Sequence, residues 1–224
     1  MKTTVTDALY AGCEAVVKIA WLNGLWLLFT LLGGVLFGWA PSTAAMCAVI
    51  RKWLMGQKDV PVFALFLGTY KKEFLKVNAI GLAFFALLLI LSANYYYFSA
   101  SADWLSFTVT SCTLLAGLLY TVALMYVFPL YVHYELPLRQ YIPQALLLGA
   151  MRPLTTGCML IGCGFVLYLL YTLPGLIPFY GPSLFGLVSM FFAFRGFQKN
   201  RGAAPSSGLI NKKMTNGQKS AANQ

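Results

Sequence analysis

Four stretches of this chain, residues 19–50, 77–102, 104–132 and 153–194, contain no Asp, Glu, Lys or Arg. All 22 formally charged residues, 16 basic and 6 acidic, lie outside them. A soluble domain of 224 residues cannot bury four such runs. Each is long enough to cross a bilayer, which takes roughly 20 apolar residues. The pattern specifies an all-α, polytopic transmembrane helical bundle. Composition agrees: 59% of residues are hydrophobic and 10% charged, and the mean hydropathy is +0.72. Ordinary soluble domains carry about 25% charged residues.

Proline and glycine subdivide the runs into about five spans, expected at about 19–40, 78–98, 107–132, 155–173 and 179–196. The first run continues past Pro41, which suits a helix start. A short amphipathic or re-entrant helix is therefore expected over 41–55, either interfacial or packed within the protein. Pro129 marks a kink or end in the third span. The run 153–194 would measure roughly 63 Å as one helix, twice a hydrocarbon core of roughly 30 Å. It folds back at Pro174-Gly175. Residues 1–198 thus read as one membrane domain, followed by a disordered basic tail over 199–224. The first run follows Asp7 and Glu14 rather than a basic segment and has no small-residue cleavage pattern, so it reads as a retained helix, not a signal peptide.

Basic residues orient the bundle. Fourteen of the 16 fall in 51–76, 133–152 and the tail, while 99–106 and 174–178 have none. That side is assigned to the cytoplasm of a plasma membrane. Five spans then place the N-terminus outside and the C-terminus inside. Lys2 and Lys18 dissent; they fit an alternative in which 19–50 dips in and returns. A pI of 9.5 invites a nucleic-acid reading, but the topology-setting loops account for the basic excess, and no nucleic-acid partner is expected.

The polar segment between the first two long spans is the most distinctive. Phe63, Phe66, Tyr70 and Phe74 follow helical spacing, with Lys71 and Lys72 beside them, which describes an amphipathic cytoplasmic helix at the membrane surface. Together with Arg51, Lys52 and Trp53, these residues form a candidate partner-docking or lipid-facing surface, with anionic lipid as one partner. The plain alternative is charge that only sets topology. Asn23, Gly34, Gly38 and Pro41 are candidate helix–helix contacts, since small residues permit close approach and amides bond across helices. Trp and Tyr near span ends suit the membrane interface, although Tyr95-Tyr96-Tyr97 also has the aromatic faces that stack on sugars.

Catalytic chemistry has little to stand on. His133 and Glu135 are a lone acid–base pair at a loop start, and no nucleophile, hydrolase or nucleotide motif occurs. Cys13, Cys47, Cys112, Cys158 and Cys163 contain no C-x-x-C, and one histidine makes a zinc site improbable. No catalytic residue, metal or cofactor is expected.

The residues N-G-L-W at 23–26, G-W-A-P-S-T-A-A at 38–45, V-I-R-K-W-L at 49–54, Gly56, Phe63, Phe66 and Y-K-K-E-F at 70–74 resemble the YesL-like family of bacterial integral membrane proteins, a domain of unknown function. Ser42 stands where that family usually has Ala, and Glu73 where Asn is frequent. The resemblance implies a bacterial, Gram-positive plasma-membrane protein of about five spans. It also implies an accessory or scaffold role beside a carbohydrate transport system, with ABC transporter permease subunits as partners. The alternative is an uncoupled transporter or channel for a neutral small solute, because charge-free spans lack the groups that mark ion-coupled pathways. A membrane enzyme is the third and weakest reading.

Overall fold

A computed structural model describes residues 5–57, 59–99 and 103–201. Within them the chain forms α1 (Val5–Leu32), α2 (Trp39–Leu54), α3 (Val62–Ser99), α4 (Trp104–His133), α5 (Leu138–Met151), α6 (Pro153–Thr172) and α7 (Ile177–Arg201), with a single 3-10 turn at Pro174–Leu176. Five helical stretches are long and apolar enough to cross a membrane: Gly12–Leu32, Val62–Ser99, Trp104–His133, Pro153–Thr172 and Pro174–Gly196. Among the described residues, those up to Phe194 form one packed unit, and Arg195–Arg201 belong to a second. The tail expected from 199 lies, beyond Arg201, outside the described residues, as does Lys58.

The first span does not reach residue 40. α1 stops at Leu32 because Gly33 and Gly34 follow, and Gly34 takes φ +72°. Val35 continues in the left-handed region at φ 59°, where a β-branched side chain is strained. The turn closes its own hydrogen bonds. The N–H groups of Gly33, Gly34, Val35 and Leu36 donate to carbonyls between Phe29 and Gly34 at 2.7–3.0 Å. Trp39 and Ala40, expected at the end of the first span, instead begin α2. Pro41 sits in the first turn of α2, where its missing N–H leaves no gap.

α2 is the hub. Nine of its sixteen residues are buried, so it packs within the protein and does not lie on a surface. Gly38 meets Thr30 of α1, and an added Cβ there would strike the Thr30 backbone. Trp26 of α1 donates its indole N–H to Thr43 Oγ1 at 3.0 Å. Toward α3, Ala40 fills the space that a side chain on Gly81 would need, and toward α7 Met46 does the same at Gly186. Gly34, by contrast, has nothing within reach of a Cβ. It is a turn residue and not the helix contact its spacing suggested. The core around α2 joins Leu22, Leu25 and Phe29 to Met46, Ile50, Phe66 and Met190.

The amphipathic segment over 63–74 is helical but not a separate element. No proline interrupts the chain between Phe63 and Phe98, and α3 runs unbroken for 38 residues, roughly 57 Å at 1.5 Å per residue. Its aromatic stripe turns inward: Phe29 of α1 lies 5.3 Å from Phe66 and 5.0 Å from Tyr70, ring centre to ring centre. Tyr70 also donates its hydroxyl to the Phe29 carbonyl at 3.2 Å. α5 occupies what read as a loop. It runs antiparallel to the end of α4, with Tyr141 against Tyr131 and Gly149 against Val122 and Tyr126.

Replacing Val35 with Gly should remove the left-handed strain and raise stability by about 1 kcal/mol; thermal unfolding of the purified protein in a mild detergent reads the change. Gly81→Leu should do the reverse, because the α2–α3 contact has no room for a side chain.

Candidate functional site

Two features stand out among the helices: a polar clasp at Pro182 of α7 and a cavity beside it. The clasp begins with a chemical defect. Pro182 lies inside α7 and has no N–H, so the carbonyl of Pro178, four residues earlier, has no helical donor. Such an orphan costs free energy anywhere water is absent. Asn23 of α1, fully buried, supplies the missing partner. Its Nδ2 donates to the Pro178 carbonyl at 2.7 Å, while its Oδ1 accepts the N–H of Ser183 at 3.1 Å. One amide bridges both sides of the proline and ties α1 to α7. The sequence pointed to Asn23 as a helix contact; only the fold reveals that its partner is a proline break 155 residues away.

The cavity, about 270 Å³, lies between α2, α4, α6 and α7. Thr43 and Cys47 line it from α2, Thr121 and Met125 from α4, Cys163 from α6 and Ser189 from α7. Trp39 and Phe128 close one side, edge to face at 5.7 Å. No formally charged residue lines it. Pro129 and Pro182, the prolines inside α4 and α7, both border it. The Cys47 thiol is 1% exposed, and burial pushes its pKa up to about 12, so the reactive thiolate is scarce at neutral pH.

A third cluster gathers at the end of α4. Tyr131 donates its hydroxyl to Glu73 Oε2 at 2.6 Å, and Lys72 and Lys76 each approach the Glu73 carboxylate at 3.9 Å. Tyr141 accepts the Leu136 N–H and donates to the Tyr134 carbonyl, both at 3.0 Å, and burial raises its pKa above that of an ordinary phenol. In the sequence Tyr131 counts only among the Trp and Tyr near span ends, and nothing singles out Tyr141. Glu73, noted there within Y-K-K-E-F, gains a structural role as the acceptor joining α3 to α4. His133 stands edge-on to Tyr134 and Phe194.

The docking candidates divide. Phe66 is fully buried, Trp53 and Tyr70 pack against the α2 core, and Phe74 stacks on Tyr70 at 5.4 Å. These aromatics contribute to the packing of the fold, Phe66 and Tyr70 against Phe29, while Trp53, Tyr70 and Phe74 remain half-buried. Phe63 is half-exposed, although its ring also meets Phe29 at 6.5 Å. Arg51 and Lys52 are half-buried, while Lys71 and Lys72 are exposed. Of these candidates, Phe63 and the lysines of α3 are the ones that the packing leaves most exposed.

Residues 19–95, which span the second half of α1, all of α2 and most of α3, match a family described as a protein of unknown function, DUF624. An uncharacterized protein of Bacillus subtilis strain 168, YesV, is 92% identical over 199 residues, covering 89% of this chain and 96% of that protein. The chain belongs to the DUF624 family. Two further uncharacterized relatives from the same organism are YteU, 38% identical across 80% of each chain, and YesL, 31% identical across 87% of this chain and 92% of its own length. The YesL-like resemblance seen in the motifs between Asn23 and Phe74 is therefore a family relationship. No solved structure matches. The family match covers the α1–α2–α3 core and ends before α4, so the cavity and the clasp each take one wall from the matched region and another from beyond it.

Asn23→Leu should destabilise the protein by about 2 kcal/mol, because it strands a carbonyl and an N–H. In a Pro182→Ala background the same change should cost much less, since residue 182 then donates within α7. A double-mutant cycle followed by thermal unfolding measures the difference. Separately, single-cysteine proteins treated with a maleimide at neutral pH should be modified at Cys13, which is exposed, and spared at Cys47, which is buried; mass spectrometry reads both, and unfolding the protein in denaturant should make Cys47 react.

Proposed function

We propose that this protein is a membrane accessory or scaffold protein that docks a partner through the basic face of α3. The observation that carries this reading is the division of labour along that helix. Residues 77–99 of α3 are charge-free. The preceding 15 residues, Val62–Lys76, continue the same helix for roughly 22 Å. Their aromatic face is clamped on Phe29, and Lys71, Lys72 and Lys76 are exposed on them. Positive charge held on a pre-ordered helix suits recognition of an acidic partner surface, because little side-chain or backbone order must be created on binding. The same lysines suit anionic lipid at the cytoplasmic face. A carbohydrate importer's permease subunit is the partner that the YesL-like resemblance implies, and the charge-free runs at the centre of the spans contain no charged couple of the kind that marks ion-driven transport.

This reading sets the orientation. α1 ends against the basic part of α3, at Phe29, so its start lies toward the opposite side. With Lys71 and Lys72 in the cytoplasm, the N-terminus is outside. Reporter fusions at residue 1 and after residue 201 test that placement, and both reporting cytoplasmic would refute it. For the partner, affinity purification in mild detergent from cells grown on different sugars should recover a transport permease with the native protein. Lys71→Glu together with Lys72→Glu should lose it while leaving thermal unfolding unchanged. Recovery of no stable partner on any sugar would count against the scaffold role.

A further inference from the structure

The cavity between α2, α4, α6 and α7 shows an uneven hydrogen-bonding character. Its hydroxyls have already committed their protons to their own helices. Thr43 Oγ1 donates to the Trp39 carbonyl at 2.6 Å, Thr121 Oγ1 to Gly117 at 2.9 Å and Ser189 Oγ to Gly186 at 3.1 Å. Thr43 also accepts from Trp26, which takes one of its two lone pairs. Toward the cavity, Thr121 and Ser189 therefore offer lone pairs and no proton. Met125 adds another acceptor, because Pro129 cannot donate to its carbonyl and both residues line the space. Apart from the Cys47 and Cys163 thiols and the Trp39 indole, the rest of the wall is apolar, and no formal charge compensates a charged guest.

Size and access narrow the occupant. At about 270 Å³ the space is nearly twice the roughly 150 Å³ apolar cavity that holds one benzene. Thr121 is exposed, whereas Phe128 and Pro129 are buried, so the opening lies at Thr121. That residue sits mid-way along the charge-free run 104–132, which faces the bilayer. In a water-poor setting, hydroxyls that turn only lone pairs toward the space, beside the weakly donating thiols of Cys47 and Cys163, favour a guest that brings a donor, because a guest with only acceptors would leave those lone pairs unpaired.

We propose that this cavity binds a neutral amphiphile from the bilayer, an alcohol whose hydroxyl donates to Thr121, Ser189 or the Met125 carbonyl and whose apolar chain fills the remaining volume. The inference is independent of the docking role of α3. A photoreactive, diazirine-bearing analogue of 1-decanol tests it, using the full chain in phosphatidylcholine nanodiscs. Cross-links should concentrate on cavity residues such as Met46, Met125 and Phe185. Excess 1-decanol should suppress them, while decyl methyl ether, which has no donor, should compete about fivefold less well, the worth of roughly one hydrogen bond. Decanoate, which carries a charge, should not compete. Thr121→Leu should block the mouth and remove the cavity signal. Ser189→Ala, which leaves the packing nearly intact, should weaken competition by the alcohol and not by the ether, so the idea remains testable if the first variant fails to fold. Cross-links spread over lipid-facing residues such as Leu114 and Tyr168 would overturn it, as would equal competition by alcohol and ether or an unchanged signal in both variants.

Discussion

The bundle depends on keeping backbone polar groups paired where water is absent. In hydrocarbon an unpartnered carbonyl or N–H costs several kcal/mol, and this chain breaks its helices repeatedly. It carries Pro129 and Pro182 inside helices, each removing a backbone donor, and turns tightly after Leu32. The turn satisfies itself through N–H bonds back to Phe29, Thr30 and Leu31, with Tyr70 adding a hydroxyl to the Phe29 carbonyl. The gap at Pro182 borrows a side chain instead, and Asn23 serves both its donor and its acceptor. Because that side chain belongs to α1, satisfying one defect also joins the first helix to the last.

Close approach is the second theme, and it converges on α2. A helix of sixteen residues is too short to span a membrane, yet α2 is mostly buried because three neighbours offer it a small surface. Gly81 and Gly186 admit Ala40 and Met46, and the α1 core side chains cover the remaining face. Van der Waals packing of this kind is what drives association between helices once the bilayer has removed the hydrophobic gain. The cavity sits where α2 faces α4, α6 and α7. It is bounded by the two helices that contain a proline, and Pro129 and Pro182 themselves line it.

Much of the architecture was legible in the residues. Charge-free runs announced the membrane helices, since charges avoid hydrocarbon whatever the packing, and Pro41 and Pro174 marked real boundaries. The reading failed where it relied on local pattern alone. Phe63, Phe66, Tyr70 and Phe74 have a stripe that fits a lipid surface or a helix face equally well, and only the position of Phe29 distinguishes them. Gly34-x-x-x-Gly38 has the spacing of a helix contact, but its first glycine is consumed by a turn. α5 was hidden because Arg139, Gln140 and Pro143 resemble a loop, and its helical face becomes apparent only against Tyr126 and Tyr131.

The sequence by itself determined that this chain is a membrane bundle of about five spans and which ends carry the positive charge. Those properties follow from transfer energies that each residue contributes wherever it sits. Its family membership was likewise written in local motifs between Asn23 and Phe74. Tertiary structure alone decided that Asn23 repairs Pro182, that Glu73 joins α3 to α4 through Tyr131, and that three hydroxyls with spent protons border one uncharged cavity. Each of these pairs residues from distant parts of the chain, and a hydrogen bond or a void is a property of the separation between groups, which no single stretch of sequence contains.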